Sequence, residues 1–201
     1  MPYLDQANIA CGAHAGGPEL MRSIVALARQ HDVSIGAHPG YPDREHFGRK
    51  SLTATPDQIQ AWVTEQVERL AAMSPVDYVK PHGALYHGMH QQPTVMEAIR
   101  RAVGELPLMG PAPFAEGLGW SEAFADRRYQ ADGTLVPRSE ARAVLNETET
   151  LAQVRQLISD GSVTTNSGGT LALEATTLCV HGDNPAGVRV IHVIREILDA
   201  G

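Results

Sequence analysis

Four of the nine histidines in this sequence share one local setting, directly after a short apolar run and beside glycine or another small residue. They are His14 in Ala13-His14-Ala15-Gly16, His38 in Ala37-His38-Pro39-Gly40, His82 in Pro81-His82-Gly83 and His181 in Val180-His181-Gly182-Asp183. An imidazole exchanges protons near neutral pH and also binds metal ions. The pattern therefore predicts a site for acid–base or metal chemistry built from these four side chains.

Charged residues near these histidines in the sequence can bind a polar substrate. Flanking glycines allow tight turns and close approach of a ligand to the backbone. We expect Asp183 and Lys80 to join the histidines in activating water and moving protons, with Lys80 also able to bind an anionic group. The residues expected to bind the substrate or its phosphate are Asp43, Asp126, Arg127 and Arg138.

Each of these residues also has an interpretation without chemistry. A single histidine at a strand end often only packs a loop, and Lys80 could be an ion-pair partner at the end of its strand. Asp183 precedes Asn184-Pro185 and could help to cap a helix. Four histidines in equivalent places favour a site. The remaining histidines are assigned to surface or packing positions: His31, His46, His87, His90 and His192.

The elements that must position these side chains follow a repeated strand–helix order, which predicts the α/β class with parallel strands. The strand candidates are Asn8–Gly12, Val33–Ala37, Tyr78–Lys80, Leu106–Gly110, Glu122–Ala125 and Leu178–Val180. In such folds the βα loops at the carboxyl ends of the strands converge on one face. We therefore expect the four imidazoles to point into one pocket.

Apolar residues between the strands recur at the 3.6-residue period of amphipathic helices. The stripes are Leu20, Ile24, Leu27 and Ala28; Ile59, Trp62, Val63, Val67 and Leu70; Leu151, Val154, Leu157 and Ile158; and Val188, Ile191, Ile194 and Leu198. The first two should pack outside the strands, and the last should form one terminal helix. Thr55–Gln58 predicts a capping box, Asn184-Pro185 a helix start, Gly161 a helix end and Ser162–Leu173 a hairpin.

The composition limits the class of protein. The 201 residues are 43% hydrophobic with a formal charge of −7, which suits one globular domain over residues 1–201 and makes nucleic acid an unlikely partner. No segment approaches the roughly 18 apolar residues of a membrane span and no leader is recognisable, so we expect a cytoplasmic protein. Cys11 and Cys179 lie in apolar runs and are expected to be buried thiols.

Several motifs resemble the LamB/YcsF family, in order and over essentially the whole chain. They are Ala7–Gly16, Ile35–Asp43, Val79–Tyr86, Phe124–Arg127, Asp132–Ser139 and Cys179–Asp183. The resemblance implies the A subunit of a 5-oxoprolinase, an ATP-dependent hydrolase that acts with B and C subunits to open the cyclic amide 5-oxoproline to L-glutamate. It also implies a seven-stranded βα barrel of the glycoside hydrolase/deacetylase type.

The chain departs from the family pattern in two places. Members usually begin with a strand carrying Asn, Asp and a Leu-Gly-Glu string, whereas this sequence starts at Met1-Pro2-Tyr3, so we expect a barrel without its first strand. The stretch Gly110–Ser121 is also short where the family usually has a full helix.

Two other functions stay open. Several imidazoles with a carboxylate could hold a divalent metal ion, as in a metal-dependent deacetylase or amidohydrolase. A catalytically silent scaffold subunit is the third hypothesis. The sequence contains no G-x-x-x-x-G-K-[ST] string, so ATP is expected to be handled together with the partner subunits.

Overall fold

The computed structural model describes residues 1–200, which fall into two compact units. The first unit comprises Met1–Gly110 with Gly117–Gly119, and the second comprises Pro111–Glu116 with the chain from Trp120 onward. All six predicted strands are present within a few residues of their expected positions, and the strands of both units include parallel pairs. The α/β class is confirmed, whereas closure into a barrel and the single domain stay predictions.

The first unit alternates strands and helices. Its elements are β1 (Gln6–Ala10), α1 (Pro18–Gln30), β2 (Ser34–His38), α2 (Pro56–Ala71), β3 (Tyr78–Val79), α3 (Gly83–Gln91) and α4 (Pro93–Val103), and the next strand, β4 (Met109–Pro111), has its first two residues in this unit. The parallel sheet has the order β1-β2-β3 and pairs Ala10 with His38 and Ala37 with Val79. Val79 also forms a parallel bridge to Leu108. The carboxyl ends of three neighbouring strands therefore lie side by side.

Helix α2 forms as the sequence predicts. Thr55 accepts a hydrogen bond from the Gln58 backbone N–H (3.2 Å), and the Gln58 side chain accepts one from the Thr55 N–H (2.8 Å), which completes the capping box. The predicted apolar residues Ile59, Val63, Val67 and Leu70 are buried, and Trp62 is half-buried.

The prediction for α1 was right for Ala28, which is buried, and wrong for Leu20 and Leu27. Leu20 and Leu27 are 54% and 42% exposed, whereas Met21, Val25 and Ala28 lie in the core. Both sets satisfy helical spacing because the apolar arc of this helix is wider than its contact with the strands. The helical period alone does not show which of two neighbouring apolar faces is buried, because positions one residue apart differ by only about 100° around the helix axis.

The second unit contains β5 (Trp120–Phe124), α5 (Glu147–Asp160), β6 (Ser162–Thr164), β7 (Thr170–Ala172), β8 (Thr177–Cys179), α6 (Pro185–Arg189) and α7 (Ile191–Ala200). Strands β5 and β8 are parallel, and β6 and β7 form the predicted hairpin. Helix α5 ends at Gly161, which adopts the left-handed conformation (φ 59°).

The predicted single terminal helix is wrong, because the chain leaves helical geometry at Val190 between α6 and α7. Val190 is buried with Ala125, Val154 and Ile194, so the break keeps this side chain in the core of the unit. Val188, a member of the predicted apolar stripe, is 44% exposed.

Residues 1–200 also test three predictions, which concern the stretch Gly110–Ser121, the two cysteines and membrane-spanning helices. Between β4 and β5, the stretch Gly110–Ser121 has a short 3₁₀ helix, Ala112–Phe114, as its helical element. Both cysteines are free, and Cys11 is buried, but Cys179 is only partly buried, which corrects the expectation for the second thiol. No helix in this part of the chain has the length and apolar character needed to span a membrane.

Candidate active site

Three of the four predicted histidines meet in the first unit. His14 follows β1, His38 ends β2 and His82 follows β3, so neighbouring parallel strands bring them to the same edge. The rings of His14 and His82 are stacked with centroids 3.9 Å apart, and the centroid of His38 lies 4.8 Å from that of His82. One ring nitrogen from each histidine lies within 4.8 Å of the other two. We call these three residues the histidine cluster.

Backbone carbonyl groups fix the orientation of two of the rings. Nδ1 of His38 donates to the carbonyl oxygen of Lys80 (2.6 Å), and Nε2 of His82 donates to that of Phe47 (2.8 Å). The other nitrogens of these two rings, Nε2 of His38 and Nδ1 of His82, are 2.9 Å apart. Phe47 has a positive φ of 56°, so an uncommon backbone conformation presents the carbonyl group that holds His82.

Two glycines allow the loop after β2 to lie against the cluster. A Cβ atom at Gly40 would be 2.8 Å from Nδ1 of His14, and one at Gly48 would be 2.8 Å from the Cβ of His14. Gly48 also has φ +67°, which side chains disfavour. Any larger residue at either position would therefore displace the rings.

Two polar residues of α2, which sequence reasoning missed, hold the surrounding backbone in place. The buried Gln66 side chain accepts from the N–H of Gly40 (3.0 Å) and donates to its carbonyl oxygen (2.9 Å). Arg69 donates to the carbonyl oxygen of Cys11 (3.1 Å). The sequence could have indicated Gln66, because it lies at a helical core position between Val63 and Leu70, where a buried amide needs a hydrogen-bond partner.

Burial keeps two rings of the cluster, those of His14 and His38, uncharged. Desolvation lowers the pKa of His14 to about 3, and the nearby positive charges of His82, Arg44 and Arg49 add to this effect. Desolvation, followed by the charges of His82 and Lys80, also lowers the pKa of His38 well below its usual value. At neutral pH these two rings are therefore neutral and have a lone pair available.

Lys80 and Asp43 lie in the same unit. Lys80 is 5% exposed, and its ammonium group is 5.8 Å from the ring centre of Tyr86, a cation–π distance. Asp43 accepts a hydrogen bond from Nδ1 of His46 (2.9 Å), and this bond is the main reason that the pKa of Asp43 is lowered. Binding of substrate or phosphate by these residues stays a prediction.

The fourth histidine, His181, belongs to the second unit and forms a pair with a buried carboxylate. Its Nδ1 donates to Asp126 (2.8 Å), which also accepts from the side chain of Asn184 (2.9 Å). Burial of Asp126 opposes its ionisation, yet these hydrogen bonds and the His181 charge hold its pKa below the usual value. The ring of Phe124 stacks on His181 at 5.4 Å. The pair orients the imidazole and leaves Nε2 as the nitrogen for proton exchange.

The other predicted binding residues also lie in the second unit. Arg127 donates to the carbonyl oxygens of Ala143 (3.2 Å) and Val136 (2.6 Å), so it holds a loop together. Arg138 pairs with Asp183 at 3.4 Å, and both side chains are partly exposed. The residue that caps α6 is Asn184, the predicted N-cap, rather than Asp183. A role of Arg127, Arg138 and Asp183 in binding or catalysis stays a prediction, as does a pocket common to all four histidines.

Comparison with known proteins assigns the family. The family model described as LamB/YcsF family matches residues 1–201. Among similar proteins, the 5-oxoprolinase A subunit of Vibrio campbellii is 46% identical over 220 aligned positions, covering 100% of this chain and 88% of the relative. The protein of the same name from Chromohalobacter salexigens is 45% identical, covering 99% and 88%. The crystal structure of the lactam utilization protein from Thermus thermophilus matches with a TM-score of 0.88 at 34% identity, covering 99% of this chain and 87% of the other. With a family model that matches its full length and relatives of this similarity, the chain belongs to the LamB/YcsF family.

Proposed function

We propose that this chain is the A subunit of an ATP-dependent 5-oxoprolinase that acts in the cytoplasm with B and C subunits. The observation that carries the proposal is the 46% and 45% identity, over essentially the whole chain, to proteins named as the A subunit of 5-oxoprolinase. The name of the similar crystal structure, a lactam utilization protein, agrees with a cyclic amide as the substrate.

The chemistry explains why ATP is needed. A lactam is a poor electrophile because its nitrogen is a poor leaving group, and transfer of the γ-phosphoryl group of ATP to the carbonyl oxygen makes the ring carbon more reactive. Water then adds to that carbon, the ring C–N bond breaks as the nitrogen takes up a proton, and a second water hydrolyses the resulting γ-glutamyl phosphate to glutamate and phosphate. Because the sequence has no phosphate-binding G-x-x-x-x-G-K-[ST] string, we assign nucleotide binding to the complex with the partner subunits.

Two groups of this chain can move protons in that reaction. We assign His181 as a general base, because Asp126 holds its Nδ1 (2.8 Å) and stabilises the imidazolium that forms. In the first unit, the uncharged imidazoles of His14 and His38 lie near the buried ammonium group of Lys80, which can bind an anionic group.

The test is glutamate release from 5-oxoproline by this chain combined with candidate B and C subunits, with and without ATP. We expect ATP-dependent release and a loss of at least about 100-fold with His181→Gln, whereas the exposed His31→Gln should behave like the unchanged protein. Competence of the partner subunits is established by substituting the homologous chain of a relative for this one. If this chain releases no glutamate with competent partners, the proposed function is contradicted. If His181→Gln keeps full activity, only the assignment of His181 as the general base is contradicted.

A metal-dependent deacetylase or amidohydrolase is the second candidate, favoured by the three imidazoles whose nitrogens lie within 4.8 Å of one another. Hydrolysis without ATP that stops on addition of a chelator would replace the first proposal with this one. Partner binding without turnover under either condition would indicate a scaffold subunit. We also propose that the parallel strands belong to a βα barrel of the glycoside hydrolase/deacetylase type.

A further inference from the structure

We propose that His14, His38 and His82 form a binding site for a divalent transition metal ion of the zinc class. The inference comes from the hydrogen bonds of the imidazole rings and does not rest on the proposed function. All three residues belong to the first unit, so the site is contained within one compact body.

The protons of two rings can be placed from their hydrogen bonds. A carbonyl oxygen can only accept, so Nδ1 of His38 must carry the proton in its bond to the Lys80 oxygen, and Nε2 of His82 must carry the proton in its bond to the Phe47 oxygen. A neutral imidazole has only one N–H group. It follows that, when both rings are neutral, Nε2 of His38 and Nδ1 of His82 both present lone pairs.

These two lone pairs face each other at 2.9 Å. Two acceptor nitrogens at that distance repel unless a cation lies between or beside them, and the cation can be a proton or a metal ion. The structure thus contains a site at which a positive species would relieve an unfavourable contact.

The third histidine favours the metal ion over the proton. His14 is 2% exposed, and among residues 1–200 its Nδ1 has no hydrogen-bond partner. One proton shared by His38 and His82 would leave this buried ring unsatisfied, whereas a metal ion can take a nitrogen from each of the three. Zinc–nitrogen bonds are about 2.0–2.1 Å long, so the nitrogens, now up to 4.8 Å apart, must approach one another, and the ring of His14, which stacks on His82 at 3.9 Å, must turn toward the ion.

The donor atoms indicate the class of ion. Three neutral nitrogens without a carboxylate or thiolate suit Zn²⁺, Co²⁺ or Ni²⁺, whereas Mg²⁺ and Ca²⁺ require oxygen ligands. The Lys80 and Phe47 carbonyl groups, which accept from the distal N–H groups, are the outer partners that ligating histidines usually have. Three protein ligands leave a fourth position for water or a substrate oxygen.

Nearby positive charges work against the site and limit its affinity. Arg44, Arg49 and Lys80 lie close enough to act on the imidazoles, and they repel a metal ion as they repel a proton. Coordination bonds to three nitrogens oppose this repulsion. We therefore expect binding that is stoichiometric at micromolar concentrations, and stronger for Zn²⁺ and Co²⁺ than for Mg²⁺.

The experiment uses the full chain after treatment with a chelator and dialysis. Titration with Zn²⁺ by calorimetry and with Co²⁺ by visible absorption should give about one ion per chain, with the absorption of a low-coordinate cobalt site. His14→Gln, His38→Gln and His82→Gln should each weaken binding by at least about 10-fold, and the exposed His31→Gln should not change it. Circular dichroism of every variant identifies those that fold, and only folded variants are compared.

A second measurement does not depend on variants. Long-range ¹H–¹⁵N NMR spectra distinguish protonated from unprotonated ring nitrogens, and addition of Zn²⁺ should shift the signals of the three cluster histidines together. Absence of stoichiometric binding by the folded chain, or binding unchanged in all three cluster variants, would overturn the proposal. A shared imidazolium proton on His38 and His82 that persists in the presence of Zn²⁺ would overturn it as well.

Discussion

Replacing His14 by glutamine should remove part of the stability loss that this protein suffers in acid. The imidazole is 2% exposed, and burial lowers its pKa to about 3 from the ordinary value of 6.5. In the unfolded chain the same group titrates near 6.5. Between these two values the unfolded state binds more protons than the folded state, so stability falls as the pH is lowered from about 6.5 and levels off near the folded-state value of about 3.

The magnitude follows from the linkage relation. Lowering the pH from about 7.5 to about 5.0 protonates this group almost completely in the unfolded chain but not in the folded one, which costs about 2 kcal/mol for His14 alone. Any folded-state pKa below about 4 gives nearly the same result, because the unfolded titration dominates this interval. The side chain is buried, so solvent screening does not reduce the figure.

The assay is urea denaturation followed by circular dichroism at both pH values, with a chelator present to exclude metal binding. The unchanged protein should lose about 2 kcal/mol more than His14→Gln over this interval, because all other groups titrate in both proteins. His31→Gln, which replaces an exposed histidine, should lose as much as the unchanged protein. An equal loss in His14→Gln and the unchanged protein would refute a buried, neutral His14.

Three further predictions test other parts of the structure. Gly48→Ala should destabilise the protein by about 2–4 kcal/mol, because its φ of +67° and a 2.8 Å contact add together, whereas Gly161→Ala, with φ +59° in the left-handed region and open space, should cost only about 1 kcal/mol; equal costs in urea denaturation would contradict the contact argument. If His181 is the general base as proposed, Asp126→Asn should lower glutamate release by about 100-fold and shift its pH profile, since the charge that orients this imidazole is lost; an unchanged profile would contradict this role. Met21→Ala should cost about 2–5 kcal/mol and the exposed Leu27→Ala under about 1 kcal/mol in thermal and urea unfolding, and the reverse order would show that the other face of the helix is buried.

Local sequence patterns predicted the strands of this protein and most of its helices. Six strands, the capping box at Thr55 and the helix end at Gly161 could be predicted because each depends on a few neighbouring residues. The convergence of His14, His38 and His82 was also accessible, since parallel strands place their carboxyl ends side by side.

Only the tertiary structure determines which groups these side chains contact and how their rings are oriented. It pairs His181 with Asp126 in the second unit, and it sets the ring orientation of His82 through the carbonyl group of Phe47, a residue 35 positions away. It also buries Gln66 against the loop after β2. Such contacts join residues that are distant in sequence, and they depend on loop conformation and on which side of a helix faces the core. A sequence pattern specifies the local period of a segment, whereas the ring orientations of the histidine cluster are set only once distant backbone groups have been brought within hydrogen-bond distance.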